Sequence, residues 1–566
     1  MTSTWLPEAQ QQVLAAFVLA GIVLLGWGAL FRRLCGYQVR TADDLFGACC
    51  EGWAFLLGGL QIWHFFAPID ARATVAAGVV GAVGVLFTGP AWSGALRRLV
   101  RSLPALLLIL VAAVWLAGFA LGGPRHGDAG GYYIPTTIWM HEFPVVTGLG
   151  NLSAPYAYNI SYFLYAALAS VGPFADRPWH VVNATLLLIV LARGLFGCWR
   201  LVSPWQRVEW NDLAYAFLLP GEIALALGLF LTSMAPDTGI YLIGAGLLGS
   251  LIHVASSAAR AARFHLLAVM LFLCAGWTIK VSFAGMAGAL AVVVPLGWWW
   301  RFRPGVRECG AALLACGVIG AFMVVPWLGS NVMMSGMPFF PSAFGALDVP
   351  WKVQLDVQTW IESDKNVGPL SLLWQNPTWY LQRLDGYGWS EREVALPLAV
   401  AAVALPFVVL GGLWTRRGRR RSVTALPWWI VVPPLVSLGF ALRLTPMPRY
   451  AGATMWLCAI TMVLVAIGGW LRRSVVGRAL ALAAVVAGTA FLAAPADALW
   501  PTLRDYEGLG RVQTETKVLA SGLTVYFPAH DACFAAPLPC TPNLDPRLAL
   551  RVPGDLGSGF HIVSAP

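Results

Sequence analysis

The chain has 566 residues, 58% of them hydrophobic and 11% charged, with a formal net charge of +10. A soluble domain carries about a quarter charged residues and one bilayer-spanning helix needs roughly 20 apolar residues, so run after run of that length excludes a soluble fold. The positive balance does not point to nucleic acid, because the arginines gather at the ends of apolar runs as the positive-inside bias requires.

Arginine and lysine positions assign sides along the chain. The N-terminus lacks the basic region of a secretory signal and its first apolar run is long, so it reads as a retained helix. Spans are expected over about 13–31, 44–66, 73–90 and 103–122, with Arg32-Arg33 and the stretch Arg97 to Arg101 inside. Residues 1–122 are thus an N-terminal helical group, and 123–178 a first extracytoplasmic loop. Within it the run 157–174 carries Asn159 and Ser161. If it crossed, the basic stretch Arg200 to Arg207 would fall on the wrong side, so it reads as a juxtamembrane or half-inserted helix.

Central spans follow over 179–199, 211–232, 238–256, 264–279, 282–300 and 309–329, the group 179–329. A second extracytoplasmic loop, 330–392, is rich in Trp, Pro, Asn and Asp. The C-terminal group 393–494 has spans over 394–414, 425–441, 450–470 and 475–494, with Arg416 to Arg421 inside. The tail 495–566 returns outside. The expected fold is an all-α polytopic membrane protein of about fourteen transmembrane helices. No repeat of fixed period is present.

Cys198, Cys274, Cys316 and Cys458 sit singly in apolar runs, where cysteine behaves as a small hydrophobe. Cys533 and Cys540 stand apart in a polar, Pro-rich tail, which suits a small disulfide loop in an oxidising compartment. The chain-entropy relation gives such a loop roughly 2.5 kcal/mol. Zinc is the weaker reading, because no nearby histidine or cysteine pair completes a four-ligand set.

Charged groups at membrane depth cost roughly 2.5–3.5 kcal/mol each, so the unusual ones ask for a reason. Asp128 lies in Arg125-His126-Gly127-Asp128-Ala129-Gly130-Gly131-Tyr132-Tyr133, just past a span. Glu142 follows on a short amphipathic helix with Trp139 and Phe143. Asp237 stands in Pro236-Asp237 between two spans, and Lys280 in Thr278-Ile279-Lys280-Val281-Ser282 between two more. Arg443 and Arg449 flank Thr445-Pro446-Met447-Pro448-Arg449-Tyr450. Charge topology puts all of them outside, where Lys280 and Arg449 oppose the positive-inside bias. Each has a bland alternative: Asp237 as a helix N-cap, Lys280 as a structural ion-pair partner, Arg449 snorkelling to lipid phosphate, Asp128 as a turn residue. His126 and His141 read as interface residues. Read together, a carboxylate could act as general base on an acceptor hydroxyl while the cations stabilise a phosphate leaving group.

Gly127-Asp128 to Tyr133 in a loop after a span, a juxtamembrane run at 157–174 and Pro236-Asp237 at the start of a later helix make the chain resemble the GT-C superfamily of membrane glycosyltransferases. It is also similar to a group of large bacterial membrane proteins through Gly148-Leu149-Gly150-Asn151-Leu152, Ser335-Gly336, Phe340-Pro341-Ser342, Pro448-Arg449-Tyr450 and Cys533 to Pro542. The GT-C resemblance implies a GT-C-like fold with periplasmic juxtamembrane helices in a bacterial inner membrane. It implies sugar transfer from a polyprenyl-phosphate-linked donor to a glycan, lipid or protein acceptor. Asp128 would then be the base. Lys280 and Arg449 would bind the donor phosphate, and Asp237, Glu142, Tyr132 and Tyr133 would contact substrate or a cation.

The chain departs from the GT-C pattern in three ways. About four spans precede the acidic loop instead of one. The motif has one acid where family members often have a pair, which leaves divalent-metal use open. Only a short tail replaces a large soluble C-terminal domain. The rival readings are an O-antigen polymerase or ligase, for which the second loop offers only Arg383 and Arg392 as arginines, and a lipid-linked-sugar transporter or flippase, which predicts inverted repeats and broken helices.

Overall fold

A computed structural model describes residues 6–354, 391–416, 426–444, 448–496, 498–510 and 512–563. Among them the chain forms seventeen α-helices: α1 (Glu8–Leu34), α2 (Ala42–His64), α3 (Ala71–Val85), α4 (Gly89–Phe119), α5 (Ile134–Glu142), α6 (Tyr162–Leu168), α7 (Val182–Val202), α8 (Trp210–Leu227), α9 (Pro236–Ser256), α10 (Ala259–Ile279), α11 (Ala284–Phe302), α12 (Val306–Ser335), α13 (Glu391–Arg416), α14 (Val432–Leu444), α15 (Gly452–Ala466), α16 (Gly468–Arg473) and α17 (Val475–Ala493). Eleven segments are long and apolar enough to cross a membrane by length and composition. Of the other expected spans, α8 carries Asp212 and Glu222, and α14 and α15 are shorter. Apolar side chains on α4, α12, α13 and α17, such as Leu107, Leu314, Phe407 and Val486, are exposed. A polytopic membrane protein turns such faces to lipid, which costs nothing there.

Local chemistry sets the helix starts and contacts. Thr41 and Asp44 form a reciprocal capping box that opens α2, and the Asp70 carboxylate caps α3. α1 packs on α2 and α3 through glycines. A Cβ on Gly28 would collide with the Ala48 carbonyl, and one on Gly26 with the Gly81 carbonyl. With no hydrophobic drive between helices in lipid, such small-residue contact lets backbones approach closely.

Several expected boundaries shift. The basic stretch Arg97 to Arg101 is no loop: it is wound into α4, which begins at Gly89. α8 ends at Leu227 rather than near 232, and α10 begins at Ala259. The run 157–174 is broken into a 3-10 turn (Ala154–Ala157), the seven-residue α6 and another 3-10 turn (Gly172–Phe174). Seven residues rise only about 10 Å, far short of a bilayer. The tail departs from all-α: β1 (Thr514–Val518) pairs antiparallel with β2 (Thr524–Pro528), and β3 (Leu548–Leu550) with β4 (Phe560–Ile562).

Two main hydrophobic cores form among the described residues. The larger fills the helical bundle. The smaller lies in a cap built from the first loop, the chain after α12 and the tail, around Trp139, Val146, Tyr156, Phe340, Val525 and Phe560. The tail ties the cap down. The Tyr506 hydroxyl donates to the Ala9 carbonyl at 3.1 Å, and the Glu507 amide donates to Leu121 O at 2.9 Å. The start of α1, the end of α4 and the tail therefore share one end of the bundle. Cys533 and Cys540 are joined in a disulfide within this cap.

Candidate functional site

Asp128 precedes a π-helical turn, Ala129–Tyr133, that leads into α5. Single π turns recur at functional sites because they re-aim side chains. Here the Tyr133 hydroxyl turns back and donates to Asp128 Oδ2 at 3.2 Å. The Asp128 amide donates to His126 Nδ1 at 3.2 Å, and the His126 ring stacks on Tyr133. The Ser233 hydroxyl oxygen accepts from the Arg125 and His126 amides, which fastens the loop to the turn before α9. Tyr133 and His126 are buried, whereas the Asp128 side chain keeps 31% exposure. A base needs that combination of fixed orientation and access.

The tail clamps the same turn. The Phe534 amide donates to Gly130 O at 2.9 Å, and a Cβ on Gly130 would enter the Phe534 ring. Phe534 belongs to the loop closed by the disulfide, whose other end is held where the Tyr156 hydroxyl donates to Cys540 O at 3.1 Å.

A cleft lies beside this loop, lined by Asp237, Ile240 and Tyr241 of α9, Lys280, Ser282 and Phe283 after α10, and Tyr450, Ala453 and Thr454. Its empty space is about 380 Å³, open mouth included. Lys280 Nζ donates to Asp237 Oδ1 at 2.6 Å, with 13% and 5% of the two side chains exposed. It also stands 4.6 Å from the centre of the Tyr450 ring. Asp237 does not act as the N-cap: that position is Ala235, and Asp237 sits in the first turn, turned to Lys280.

Tyr158 joins the halves. Burial pushes its phenol well above the ordinary tyrosine range, and the nearby Tyr450 phenol and Asp128 carboxylate push the same way. Its ring also packs edge-on against Tyr132. Tyr132 touches Tyr158, Tyr133 holds Asp128, and Asp237, Lys280 and Tyr450 line the cleft, while Asp128 and Tyr450 both act on the Tyr158 phenol. The Ser161 amide donates to Thr278 O at 3.1 Å, which fastens the run after Tyr158 to the end of α10.

Glu142 is not among these residues. It is exposed at the far end of α5, where the adjacent His141 and Phe143 contact the Ile69 carbonyl and His64, and among the described residues it makes no ion pair or hydrogen bond. α5 runs on from the π turn, so its last residue is carried roughly 12 Å along the axis from its first. The side chains of Arg443 and Arg449 lie outside the described residues, as does Arg383, while Arg392 Nη1 donates to Phe491 O at 3.1 Å. Among the described residues no group of three His, Cys, Asp or Glu side chains could hold a metal. The sequence reading did not single out Tyr158; its signal was a tyrosine in the very run that parity had removed from the membrane.

At the other end of the bundle a second polar cleft opens, which the sequence reading passed over. It is bounded by the ends of α1, α7 and α9 and the starts of α2, α8 and α10. The same two helices, α9 and α10, thus line a cleft at each end. From Asp237 to His253 the rise along α9 is roughly 24 Å.

The fold and these sites define a polytopic membrane protein with a folded cap over a polar cleft at one end. The chain belongs to the family of the domain of unknown function (DUF8201), which matches residues 12–456 and so takes in both clefts and most of the bundle. No curated protein and no solved structure matches it.

Proposed function

We propose that the protein is a GT-C-like membrane glycosyltransferase of about fourteen spans, in a bacterial inner membrane with its cap facing the periplasm. It moves a sugar from a polyprenyl-phosphate-linked donor to an extracytoplasmic acceptor. The observation that carries this reading is the partly exposed Asp128, fixed by Tyr133 in a loop fastened to the turn that leads to Asp237, whose partner Lys280 lines the cleft. Asp128 takes the proton of the acceptor hydroxyl. Lys280, ion-paired with Asp237 at 2.6 Å, faces the leaving phosphate, with Arg449 on the adjoining 3-10 turn (Pro448–Ala451) as its partner. The tyrosines supply aromatic faces for a sugar ring. No step runs through a metal ion.

The test is transfer from a fluorescent polyprenyl-phosphate sugar by the purified protein, with products read by mass spectrometry. Asp128→Asn keeps the shape of the side chain and removes the base, so transfer should fall by 10²–10⁴-fold with the melting temperature unchanged. Full transfer by that variant would remove Asp128 from the role. A second reading, transport of a lipid-linked sugar, is favoured by one observation: α9 and α10 line clefts at both ends. Sugar moved across a vesicle wall without a change of covalent linkage would favour it.

A further inference from the structure

The second cleft is built from charges that balance imperfectly. Arg32 reaches Glu51 and Asp44, both at 2.6 Å. Arg200 reaches Asp43 at 2.9 Å and Asp212 at 3.2 Å, and Arg193 reaches Asp212 at 3.0 Å. Three guanidiniums thus face four carboxylates, leaving one negative charge in excess. Neither Arg472, which pairs with Glu209 at 3.9 Å, nor Arg301, which donates to the Val254 and Ser257 carbonyls, lines the cleft itself. A charge left uncompensated at this depth is costly, so the cleft favours a cation.

Unpartnered atoms say which kind. Asn211 Oδ1 and His265 Nδ1 line the cleft without a hydrogen bond, as does Arg193 Nη1, and Asp43 Oδ1 has only a 3.4 Å ion pair with Arg193 Nη2. Asn211, His265 and Arg193 are 8%, 4% and 2% exposed. Asn211 Nδ2 is engaged with His253 Nε2 at 2.9 Å, which turns its oxygen to the cleft. Buried polar atoms of this kind normally have partners. Three acceptors around an excess negative charge match the three donors of a primary ammonium. A bare metal ion is the poorer match, since no three His, Cys, Asp or Glu side chains among the described residues converge to hold one. Tyr215 and Phe272 add aromatic wall, which suits a cation, and Arg193 Nη1 asks for an acceptor oxygen beside it. The enclosed space is only about 30 Å³, so the cleft takes the ammonium end of a small molecule or headgroup and leaves the rest at its mouth.

We infer that this cleft, at the end of the bundle opposite Asp128, binds a small primary ammonium bearing an acceptor oxygen. The site is separate from the chemistry proposed at Asp128 and stands or falls without it.

The experiment uses the full chain in detergent and follows tryptophan fluorescence on heating. Ethanolamine hydrochloride is compared with choline chloride and sodium chloride at equal ionic strength. Choline has the same charge and hydroxyl but no N–H. Ethanolamine should raise the melting temperature saturably above both salts. Asn211→Ala, which leaves every ion pair intact, should weaken the apparent affinity at least tenfold, and Asp43→Asn should do the same. Nanodiscs of phosphatidylethanolamine against phosphatidylcholine separate the sources. Protection by the former lipid without a response to free ethanolamine places a lipid headgroup in the cleft and supports the ammonium site. Equal shifts with all three salts, a larger response to sodium, or an ethanolamine response untouched by Asn211→Ala would overturn the inference.

Discussion

Lys280→Met leaves the Asp237 carboxylate, 5% exposed, without its ammonium at 2.6 Å. Asp237→Asn takes the carboxylate from the ammonium. Removing one partner of a buried pair costs about 3–5 kcal/mol, because the survivor stays desolvated and loses its nearest counter-charge. Neither side chain is more than 13% exposed, so solvent screening takes little from that figure. The double variant removes both charges at once. It should lose only packing and the cation–π contact of Lys280 with Tyr450, about 1–2 kcal/mol. The four proteins form a double-mutant cycle, and with single losses of about 3–5 kcal/mol each the coupling should be at least about 4 kcal/mol, above the usual range for residues in contact. Unfolding in mixed detergent micelles by increasing dodecyl sulfate, read by tryptophan fluorescence, measures it. Additive losses, with coupling under about 0.5 kcal/mol, would refute a buried pair at this cleft.

Two further outcomes follow from the cap. Gly130→Val drives a branched side chain into the Phe534 ring, so the disulfide-closed loop should lift. Hydrogen exchange should then accelerate over residues 529–541 while the helices of the bundle keep their protection. Tyr506 anchors the tail to α1 through its hydroxyl, and burial pushes its pKa up to about 12 from 10.0. A raised folded-state value favours the protonated form. Its contribution is therefore complete below about pH 10 and is lost as pH rises toward 12. Tail protection should fall in that window in the native chain, and Tyr506→Phe should be weaker at neutral pH but flat across it.

Much of the architecture was legible in the sequence because its signals are local. A span is a run of apolar residues, and arginine at its end reports a side. The parity argument alone removed 157–174 from the membrane, and α6 is indeed too short to cross. Asp128, Asp237 and Lys280 stood out as charges in greasy surroundings. The disulfide was legible as two cysteines in a polar tail. What failed was inference about neighbours. Glu142 is close to Asp128 in the chain, but α5 carries it away. Tyr158 drew no attention, and the contact between Phe534 and Gly130 joins residues about four hundred positions apart. The second cleft was missed although Glu51 and Arg193 interrupt apolar helices. Each of its members, taken singly, reads as a helix cap or a snorkelling side chain.

By itself the sequence determined the solvent of each segment, since hydropathy and charge act residue by residue: membrane spans, a polar cap and a disulfide-closed tail. It also determined where a helix can start, through Thr41, Asp44 and Asp70. Only the tertiary structure decided which charges meet. Asp237 finds Lys280, Tyr158 bridges Asp128 and Tyr450, and three arginines face four carboxylates at the far end. The reason is that helix periodicity fixes which face of a helix is buried but carries no information about which helix covers it. In lipid, that choice falls to close contacts such as those at Gly26 and Gly28, where backbone fit decides between partners.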